Sequence, residues 1–481
     1  MEYYHQIDTD ELSTQIKIPV ASTAGLQVAI GLAPVNMVDD PKVNVPVLCN
    51  DYNEAVSQMG YCKDFANYTL CQVIDANFNV FNNAPIVLIN VLDPAKHKKA
   101  YSKDNVPVVS GIATLDEYGI LLSGLEVKAG GSSLVKGTDY VVGFTTTGEV
   151  EITILDTEAT ADVTEVGVTG NILDPSMIDA DDIIGGYNVS TGEETGLEVI
   201  RQVYPATQYV PGIILAPHWS KEVEVAATMA AKAKEINGVY EAMCVIDIDS
   251  EKYRTYTAAM SARDDMGVVS RDAVLTWPKQ KMGSKVYDGS VIWAAVAAAT
   301  DSSNADIPKK SPSNELSNMT AAILEDGTEV LLDATRAASL NSKGIVTFVN
   351  DNGWRVWGNN TAAYPATTDP KDRWIACRRM MNWYRSHFIL TYKDNVDDPT
   401  DYRLIEAIVD AENGYLNSLM ASGHIAGGEI EFREEDNPIS SICDGKVVFY
   451  TKIAFWTPAE HIRNNIEFDP ELIQTALNGG A

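Results

Sequence analysis

The stretch Pro85-Ile-Val-Leu-Ile-Asn-Val-Leu92 is an apolar run interrupted by one polar residue, Asn90. A continuous apolar run of this length is typical of a strand that is covered on both faces, as in a parallel sheet. A second apolar run, Gly25-Leu-Gln-Val-Ala-Ile-Gly-Leu32, precedes it, and a helical pattern near residues 64–81 lies between the two. This order of strand, helix and strand predicts an α/β domain built on a mostly parallel sheet.

The α/β rhythm stops between residues 101 and 181. Short runs such as Asp139-Tyr-Val-Val-Gly-Phe144 and Glu149-Val-Glu-Ile-Thr-Ile-Leu155 follow one another there without a helical pattern between them. Such runs, separated by Gly, Ser, Thr and Asp, predict a small all-β domain inserted into the α/β domain. Strand and helix signals alternate again after the insertion, for example a strand at residues 240–247.

Both ends of the chain differ from its middle. The first 22 residues are polar apart from a short alternating run that places Ile16 and Ile18, followed by Val20, in a potential strand. The last third contains two amphipathic helical patterns and an apolar strand, Val447 to Phe455. We therefore predict four parts, which are an N-terminal arm (1–22), a discontinuous α/β domain (23–100 and 182–350), the inserted β domain (101–181) and an α+β C-terminal domain that includes a C-terminal arm (351–481).

Composition excludes several classes of function. The 481 residues carry 67 acidic and 36 basic side chains, for a net charge of −31. A surface this acidic repels phosphate backbones, so we expect no direct nucleic-acid binding. The six cysteines are scattered and form no CxxC pair, which argues against a disulfide framework or a thiolate zinc site. We also expect no membrane insertion, because no apolar run approaches the roughly 18 residues that a spanning helix needs.

Candidate catalytic groups are few. Asp247 and Asp249 follow a predicted strand, where α/β enzymes place reactive groups, and His218 follows another. Helix capping by Asp249 or Ser250 and a structural role for His218 explain these residues without catalysis. Nucleotide-binding glycine motifs and metal-ligand spacings are both missing from the sequence. We therefore predict no cofactor, no metal and no enzymatic activity.

Two features of the last third suggest interactions. Arg373, Arg378, Arg379 and Arg385 cluster on one predicted helix, opposite an apolar stripe. This cluster is equally compatible with a solvated helix face and with an interface to acidic patches on a neighbouring molecule. In Gly353-Trp-Arg-Val-Trp-Gly358, strand geometry would send Trp354 to one face and Arg355 and Trp357 to the other, which predicts a structural joint between the last two domains.

Several C-terminal motifs occur in an order that resembles the tail sheath proteins of contractile phages and phage-tail-like bacteriocins. They are Asn341-Ser-Lys-Gly-Ile-Val-Thr-Phe348, Gly353-Trp-Arg-Val-Trp-Gly-Asn-Asn-Thr361, Arg378-Arg379, Gly423-His-Ile-Ala-Gly-Gly428, Gly445-Lys-Val-Val-Phe449 and Pro458-Ala-Glu-His-Ile462. Upstream, Asp182-Ile-Ile-Gly-Gly-Tyr187, Thr191-Gly-Glu-Glu-Thr-Gly-Leu197 and residues 309–316 are similar to the central region of the same family. Together these motifs span most of the chain outside the β insertion.

The resemblance implies a structural subunit of a contractile sheath. Such subunits stack as hexameric rings around an inner tube, and contraction drives the tube through a bacterial envelope. The implied partners are further copies of the chain, the tube protein, and baseplate and tail terminator proteins, and the implied location is the tail of a virion or tail-like particle assembled in the host cytoplasm. The family's α/β domain is likened to subtilisin, which implies a fold and not proteolysis.

In such a sheath the terminal arms add strands to neighbouring subunits. The resemblance assigns this role to Ile16, Ile18 and Val20 in the N-terminal arm. It assigns the same role to Val447, Phe449, Ile453 and Phe455 in the C-terminal strand. A strand whose backbone groups are unpaired in a monomer gains partners in this way. The arginine cluster is expected to pair with acidic neighbours, and residues 470–477 are expected to form a short helix that touches the tube.

Two other classes of function remain open at this stage. A secreted surface-layer or adhesion protein would suit the acidity and the β insertion, but it needs a secretion signal that the stretch MEYYHQIDTDELSTQ does not resemble. An α/β hydrolase would use Asp247, Asp249 or His218, and no partner constellation for them is evident in the sequence.

Overall fold

The first strands of the chain form one side of a large central sheet. The structure is a computed structural model that describes residues 24–156, 160 and 163–478. Its first elements are strands β1 (Gln27–Gly31), β2 (Val47–Cys49) and β3 (Ile86–Asn90) and helices α1 (Tyr52–Met59) and α2 (Leu70–Ile74), the latter continuing into a π-helical stretch at Asp75–Phe81. All residues of β1 and β3 are buried, and the two strands are parallel. This pairing confirms the parallel sheet that the apolar runs predict.

A separate seven-stranded antiparallel sheet follows. Its strands are β4 (Lys98–Val109), β5 (Ile112–Leu115), β6 (Ile120–Ala129), β7 (Ser132–Ser133), β8 (Tyr140–Phe144), β9 (Val150–Ile154) and β10 (Glu165–Leu173), in the order β7-β6-β10-β4-β5-β9-β8. A hydrophobic core of its own lies against this sheet. The inserted sheet thus spans residues 98–173, whereas the predicted inserted domain spans 101–181. Lys98 pairs directly with Leu173, and Ile178 and Ile183 already pack in the core of the main sheet.

The chain then completes the central sheet and forms two small ones. The small sheets are a pair, β11 (Gly186–Tyr187) with β12 (Glu194–Thr195), and a three-stranded sheet of β16 (Lys279–Met282), β17 (Lys285–Tyr287) and β18 (Ala321–Ile323). The strands added to the central sheet are β13 (Ile213–Leu215), β14 (Met243–Asp247), β15 (Ala273–Thr276), β19 (Ile345–Asn350) and β20 (Trp354–Trp357). The added helices are α3 (Ala180–Ile184), α4 (Val203–Thr207), α5 (Val223–Lys234), α6 (Tyr256–Met266), α7 (Gly289–Ser302) and α8 (Ala334–Asn341). The eight-stranded order is β2-β3-β1-β13-β14-β15-β19-β20, with only the two edge strands antiparallel to their neighbours.

The central helix of this unit is α7. Its apolar sequence is buried on nearly all sides, and it packs against β13, β14 and β15. A helix that is hydrophobic all round must lie inside a protein. Among the described residues, no helix is both long and apolar enough to cross a membrane.

The C-terminal region is built from helices and a small sheet. Its elements are α9 (Pro370–Arg373), α10 (Ile375–Tyr392), α11 (Tyr402–Ala421), β21 (Gly427–Phe432), α12 (Ile439–Cys443), β22 (Phe449–Ala454) and α13 (Pro470–Leu477). Short 3-10 helices interrupt the chain at Val35–Met37, Pro175–Met177, Gly196–Gln202, Lys393–Asn395 and Glu434–Asp436. Helix α10 joins two cores, since Ile375 and Leu390 pack in the main core while Met380 and Trp383 pack with α11.

Strand β20 corrects the predicted start of the C-terminal domain. Trp354–Trp357 pairs antiparallel with β19, so the run belongs to the central sheet. The predicted boundary between residues 350 and 351 therefore falls inside a hairpin, because backbone pairing holds both of its strands in one sheet. The α/β body extends to Gly358, beyond which the chain continues towards α9.

Candidate assembly interface

Strands β21 and β22 form a two-stranded antiparallel sheet that packs against α11. On β22, Phe449 and Ile453 point towards the hydrophobic core that α10 and α11 share, which is called the third core below, and Tyr450 and Lys452 are exposed. Over the part of the chain that the structure describes, no further strand joins this sheet. The backbone groups along the outer edge of β22 are therefore open to a strand from outside the described residues. On β21, the side-chain amide of Asn413 already bonds the backbone N–H and carbonyl of Ile430, at 3.0 and 2.9 Å.

The predicted C-terminal strand is longer than the observed one. Val447 lies before it, because the next residue, Val448, donates its backbone N–H to Asn437 Oδ1 at 2.7 Å. Phe455 follows the strand and still packs against the third core. The expectation that this strand lacks any partner in its own chain is wrong for one edge, because β21 pairs with it along six residues.

The chain beyond β22 leaves the body. Residues 456–469 have no regular secondary structure and are mostly exposed. Helix α13 begins at Pro470, after Asp469 accepts a hydrogen bond from the backbone N–H of Glu471 at 2.9 Å. The segment from 462 to 478 exposes apolar side chains, among them Ile466 at 87% and Leu477 at 81%. Exposed apolar side chains along an extended segment are typical of a surface that a partner covers.

A cluster around Arg373 holds the root of this segment. The guanidinium of Arg373 lies 3.2 Å from the carboxylate of Glu460 and donates to Asn360 Oδ1 at 2.8 Å. The same group stacks over the rings of Tyr364 and Trp374, with centroid distances of 4.4 and 4.0 Å. A planar guanidinium suits such combined stacking and ion pairing. Arg373 is therefore an intrachain anchor for the C-terminal arm.

The prediction of a surface arginine cluster is wrong for Arg378. Its side chain is 2% exposed and forms ion pairs with Glu241, with Asp272 at 3.1 Å and with Asp372 at 3.4 Å. Burial lowers the pKa of the Arg378 guanidinium, and the surrounding carboxylates oppose that shift. Three acidic partners compensate a charge that would otherwise be costly to bury. Arg378 thus fastens α10 to the α/β body.

Arg379 is buried as well, on the other side of α10. It pairs with both carboxylate oxygens of Asp301, at 3.0 Å for the Nη1 to Oδ1 contact. Its Nη2 also donates to the backbone carbonyl of Ala24 at 3.1 Å. This bond ties α10 to the segment that leads into β1. Ile16, Ile18 and Val20 lie outside the described residues.

Arg385 keeps an exposed side chain. Its accessible fraction is 43%, and it pairs with Glu241, which Arg378 also contacts. The four arginines therefore serve different purposes in the monomer. Arg378 and Arg379 form buried ion pairs within the chain, and Arg373 anchors the C-terminal arm. Only Arg385 has a largely solvent-exposed side chain.

The tryptophan stretch has the alternation that its sequence predicts. Trp354 and Val356 are buried, while Arg355 and Trp357 are partly exposed. The flanking glycines have φ values of 113° and 142° at Gly353 and Gly358, where a side chain would be strained. A Cβ on Gly358 would also lie 3.1 Å from the Cα of Val346. The stretch is an edge strand fixed by close packing.

A buried polar cluster lies where the enzymatic alternative would place its site. The carboxylate of Asp247 accepts hydrogen bonds from Ser220 at 2.9 Å, from Thr276 at 3.0 Å and from Ser290. Burial raises the pKa of Asp247 to about 6, and the nearby carboxylate of Asp288 adds to the shift. Since Ser290 begins α7, these contacts tie the helix to the carboxyl ends of the strands.

The second carboxylate of the cluster, Asp288, directly precedes α7, and its side chain bonds other elements instead of capping the helix. It accepts from Gln72 Nε2 at 2.9 Å and from the backbone N–H of His218 at 2.8 Å, and it pairs with Lys279 at 3.1 Å. The serine hydroxyls of this cluster donate to a carboxylate, whereas a nucleophilic serine donates to a general base such as histidine. Asp249 accepts from the backbone of Glu251 at 2.9 Å, in a turn before α6.

Sequence reasoning missed the acidic partners of the buried arginines. Asp301 ends the Ala-rich run of α7, and Asp272 directly precedes a fully buried strand. A carboxylate that terminates an apolar run is a signal, because it needs a cation when the run is buried. The pattern indicates that a cation is needed, but the identity of that cation follows only from the fold. Among the described residues, no group of side chains with the composition of a metal site is found.

Comparison with known proteins identifies relatives along the whole chain. No protein-family model matches the sequence. The tail sheath protein of Burkholderia phage BcepMu is 26% identical over 497 aligned positions that cover 99% of each chain. A putative prophage major tail sheath protein of Pseudomonas aeruginosa is 23% identical over 305 positions, which cover 62% of this chain and 74% of the relative.

Solved structures show the same fold at lower identity. The sheath complex of the extracellular contractile injection system PVC, in its contracted state, is 14% identical with a TM-score of 0.57, covering 98% of this chain and 99% of that one. The contracted helical sheath of the anti-feeding prophage has a TM-score of 0.56 at 14% identity, with coverages of 98% and 100%. A sheath tail protein of Desulfitobacterium hafniense has a TM-score of 0.52 at 10% identity, with coverages of 93% and 100%. The mixed α/β multidomain fold and the resemblance of this chain to contractile tail sheath proteins are thereby confirmed.

Proposed function

We propose that this chain is the structural subunit of a contractile tail sheath, which polymerises as stacked rings around an inner tube. The observation that carries the proposal is the full-length similarity to a phage tail sheath protein. An arm that leaves the body and the open edge of β22 support it, because both need partners from other copies. Heterologous contacts that do not close on themselves produce a helical polymer.

The terminal arms are proposed to link neighbouring subunits. Strand addition by residues 16–20 of one copy to the β21–β22 sheet of another would pair backbone groups that the monomer leaves open. Phe449 and Ile453 already hold that sheet on the third core, so the edge is presented by a fixed platform. Residues 456–478 would reach a further neighbour. Arg373 and Arg379 fix the roots of the two arms to the same helix region.

The body is proposed to move as a unit while the arms keep copies joined. It combines an α/β domain of the subtilisin-like type, the inserted β sheet and the C-terminal domain. Buried ion pairs between α10 and the α/β body, such as Arg378 with Asp272, support motion as one unit, because separating them would leave charges uncompensated. Contraction then uses two packings of the same subunits and no cofactor or enzymatic step.

The further partners are proposed from the family. They are the inner tube protein and the baseplate and tail terminator proteins. Assembly is proposed to take place in the cytoplasm of the bacterial host, and the final location to be the tail of a virion or tail-like particle. The exposed apolar face of α13 is the segment best suited to touch the tube, because Leu472, Ile473 and Leu477 have no cover in the described residues.

Electron microscopy of the purified chain tests the proposal. Hollow cylinders are the expected result. Planar lattices would favour a surface-layer protein, for which no relative provides support. Dispersed single particles that turn over an ester or peptide substrate would favour the hydrolase alternative.

Removal of residues 469–481 tests the tube contact. We expect the shortened chain to keep the thermal unfolding midpoint of the parent, because α13 is exposed along its length. Co-sedimentation with preformed tubes should fall at least about tenfold, since the apolar side chains of α13 would be lost. Deletion of only residues 479–481 is the matched control. Equal tube binding by the two shortened chains would contradict the assignment of this contact to α13.

A further inference from the structure

A groove of about 840 Å³ lies where the C-terminal arm leaves the body. Its walls include Lys309 and Lys310 from the loop after α7, Arg373 and Trp357 from the body, and Trp456 and Glu460 from the arm. A volume of this size admits several side chains of a docking segment. The groove thus combines a broad opening with aromatic and cationic walls.

The charge of the groove contrasts with that of the molecule. Its walls contain three cationic side chains of lysine and arginine and one carboxylate, that of Glu460, which is paired with Arg373. Lys310 pairs with Glu315, and Lys309 forms no ion pair within the described residues. In a protein with a net charge of −31, this groove favours an acidic ligand.

An acidic turn occupies the opposite end of the β21–β22 sheet. Gly427 and Ala454 pair at the end next to the groove, and Phe432 and Phe449 pair at the other end. The turn that follows Phe432 contains Glu434, Glu435 and Asp436, which are all exposed and unpaired in the described chain. Close to them, Ile439 is 75% exposed. Three adjacent carboxylates beside an apolar side chain match the composition of the groove.

The geometry separates the two surfaces within one molecule. Strands of six residues are about 20 Å long at roughly 3.3 Å per residue, so the acidic turn does not reach the groove of its own chain. Two complementary surfaces at opposite ends of one element can meet only between copies. Repetition of such a contact gives a head-to-tail series.

We propose that the groove binds the acidic turn at residues 434–436 of a second copy of this chain. The carboxylates pair with Lys309 and Lys310, and Ile439 packs towards Trp456. This contact rests on the proposed sheath function and names one of the surfaces that would join its subunits. It replaces the contact first predicted for the arginines of α10, since Arg378 and Arg379 are buried within the chain.

Two reciprocal charge-reversal variants of the full chain test this contact. The groove variant carries Lys309→Glu and Lys310→Glu, and the turn variant carries Glu434→Lys and Glu435→Lys. Each alone should self-associate at least about tenfold more weakly than the parent, because like charges would face each other. The chain carrying all four substitutions should regain association. Glu222→Lys with Glu224→Lys, an exposed pair on α5, is the matched control and should associate like the parent.

Mixing the two variants restores charge complementarity between copies. The native turn of the groove variant faces the native groove of the turn variant, and the reversed turn faces the reversed groove, so the mixture should co-assemble in sedimentation velocity while each variant alone does not. Circular dichroism establishes that both are folded. Unchanged association of either variant, or a mixture of folded variants without co-assembly, would overturn the proposal. The co-assembly measurement does not require cylinders, so a parent that forms none would contradict the sheath function separately.

Discussion

Arg379 and Arg385 lie on the same helix, but their loss should have different costs. Replacing Arg379 by Met would leave the buried carboxylate of Asp301 without its cation. We expect the free energy of unfolding to fall by roughly 3–5 kcal/mol, as for other broken buried pairs. The same change at the largely exposed Arg385 should cost less than about 1 kcal/mol. Urea denaturation of both variants measures the difference, and equal losses would contradict the structural role of Arg379.

The buried carboxylate of Asp75 provides a pH test at the residue scale. Burial alone would raise its pKa, but hydrogen bonds from Lys285, Tyr287, Asn79 and Tyr61 outweigh burial and hold the pKa below 3.8. As the pH falls, the unfolded state therefore takes up this proton before the folded state does. The stabilisation from Asp75 is complete above the unfolded pKa and is lost as the pH falls through the folded pKa.

We expect this loss to disappear in Asp75→Asn. The variant should be less stable than the parent at neutral pH, because Lys285 loses its buried partner, and the difference between the two should shrink as the medium becomes acidic. Thermal unfolding midpoints between about pH 7 and pH 2 test this trend. A stability difference that stays constant across that range would show that ionisation of Asp75 does not stabilise the fold.

Sequence patterns predict residue surroundings only partly. The apolar stripe predicted on α10 correctly indicates a face that packs in a core, with Tyr384 and Phe388 in it. It could not show that the arginine side is covered too, because periodicity reveals the different chemistry of two helix faces and not what packs against each. The covering groups, Asp272 and Asp301, are about 80 to 100 residues away in sequence. Only the fold brings them to the helix.

At the scale of elements, the inserted β sheet should be separable from the body. Its first and last residues, Lys98 and Leu173, are directly paired, so a short glycine linker could replace residues 99–172. We expect this deletion to lower the unfolding midpoint by a few degrees, as for a loss of about 1 kcal/mol, because Ile120 accepts a hydrogen bond from Asn36 at 3.0 Å and Tyr118 packs on the main core.

The shortened chain should still form cylinders in electron microscopy. Asn36→Ala in the full chain removes the same hydrogen bond and serves as the control for the contact surface. A shortened chain that does not fold at all would show that the inserted sheet is part of the folding unit of the body.

Some strands and helices can be predicted from their own sequences, and others only in part. Strand β3 is predictable because an uninterrupted apolar run leaves few alternatives to a buried parallel strand. Helix α13 is also predictable, since Pro470 follows a capping aspartate and starts a short amphipathic run. The alternation in β20 correctly indicates a strand, but it contains no information about which sheet the strand joins. That is why the sequence places Trp354 in a joint and the structure places it at a sheet edge.

For the whole molecule, assembly should change protease sensitivity at the C-terminal arm. Arg463 lies in the exposed segment between β22 and α13. Trypsin should cleave there first in the free chain, because an extended exposed backbone fits a protease cleft. Assembled cylinders should be cut at least about tenfold more slowly if a neighbour covers the arm. Mass spectrometry of the fragments measures the site, and equal cleavage in both states would contradict an arm bound between subunits.

The resemblance of the molecule to sheath proteins was predictable, but its assembly surfaces were not. Motifs spread from Asp182 to Ile462 occur in one order in this sequence, and the fold is shared with a solved sheath at 14% identity. The resemblance to contractile tail sheath proteins is confirmed by the relatives. Surfaces that join copies depend on which charges remain unpaired after folding, as with Lys309 and the turn at Glu434. A sequence alone does not show which charged side chains stay unpaired.

The extended segment between β22 and α13 sets a length scale for motion. Residues 461–469 separate the anchor at Glu460 from the helix, and an extended chain of about nine residues spans at most roughly 32 Å. With α13 held by a neighbour, the two bodies could change their separation over much of that distance without breaking a covalent or packed contact. The extended length of this segment then limits how far one subunit can move relative to the next. Shortening the segment residue by residue should reduce the change in length of the proposed sheath on contraction.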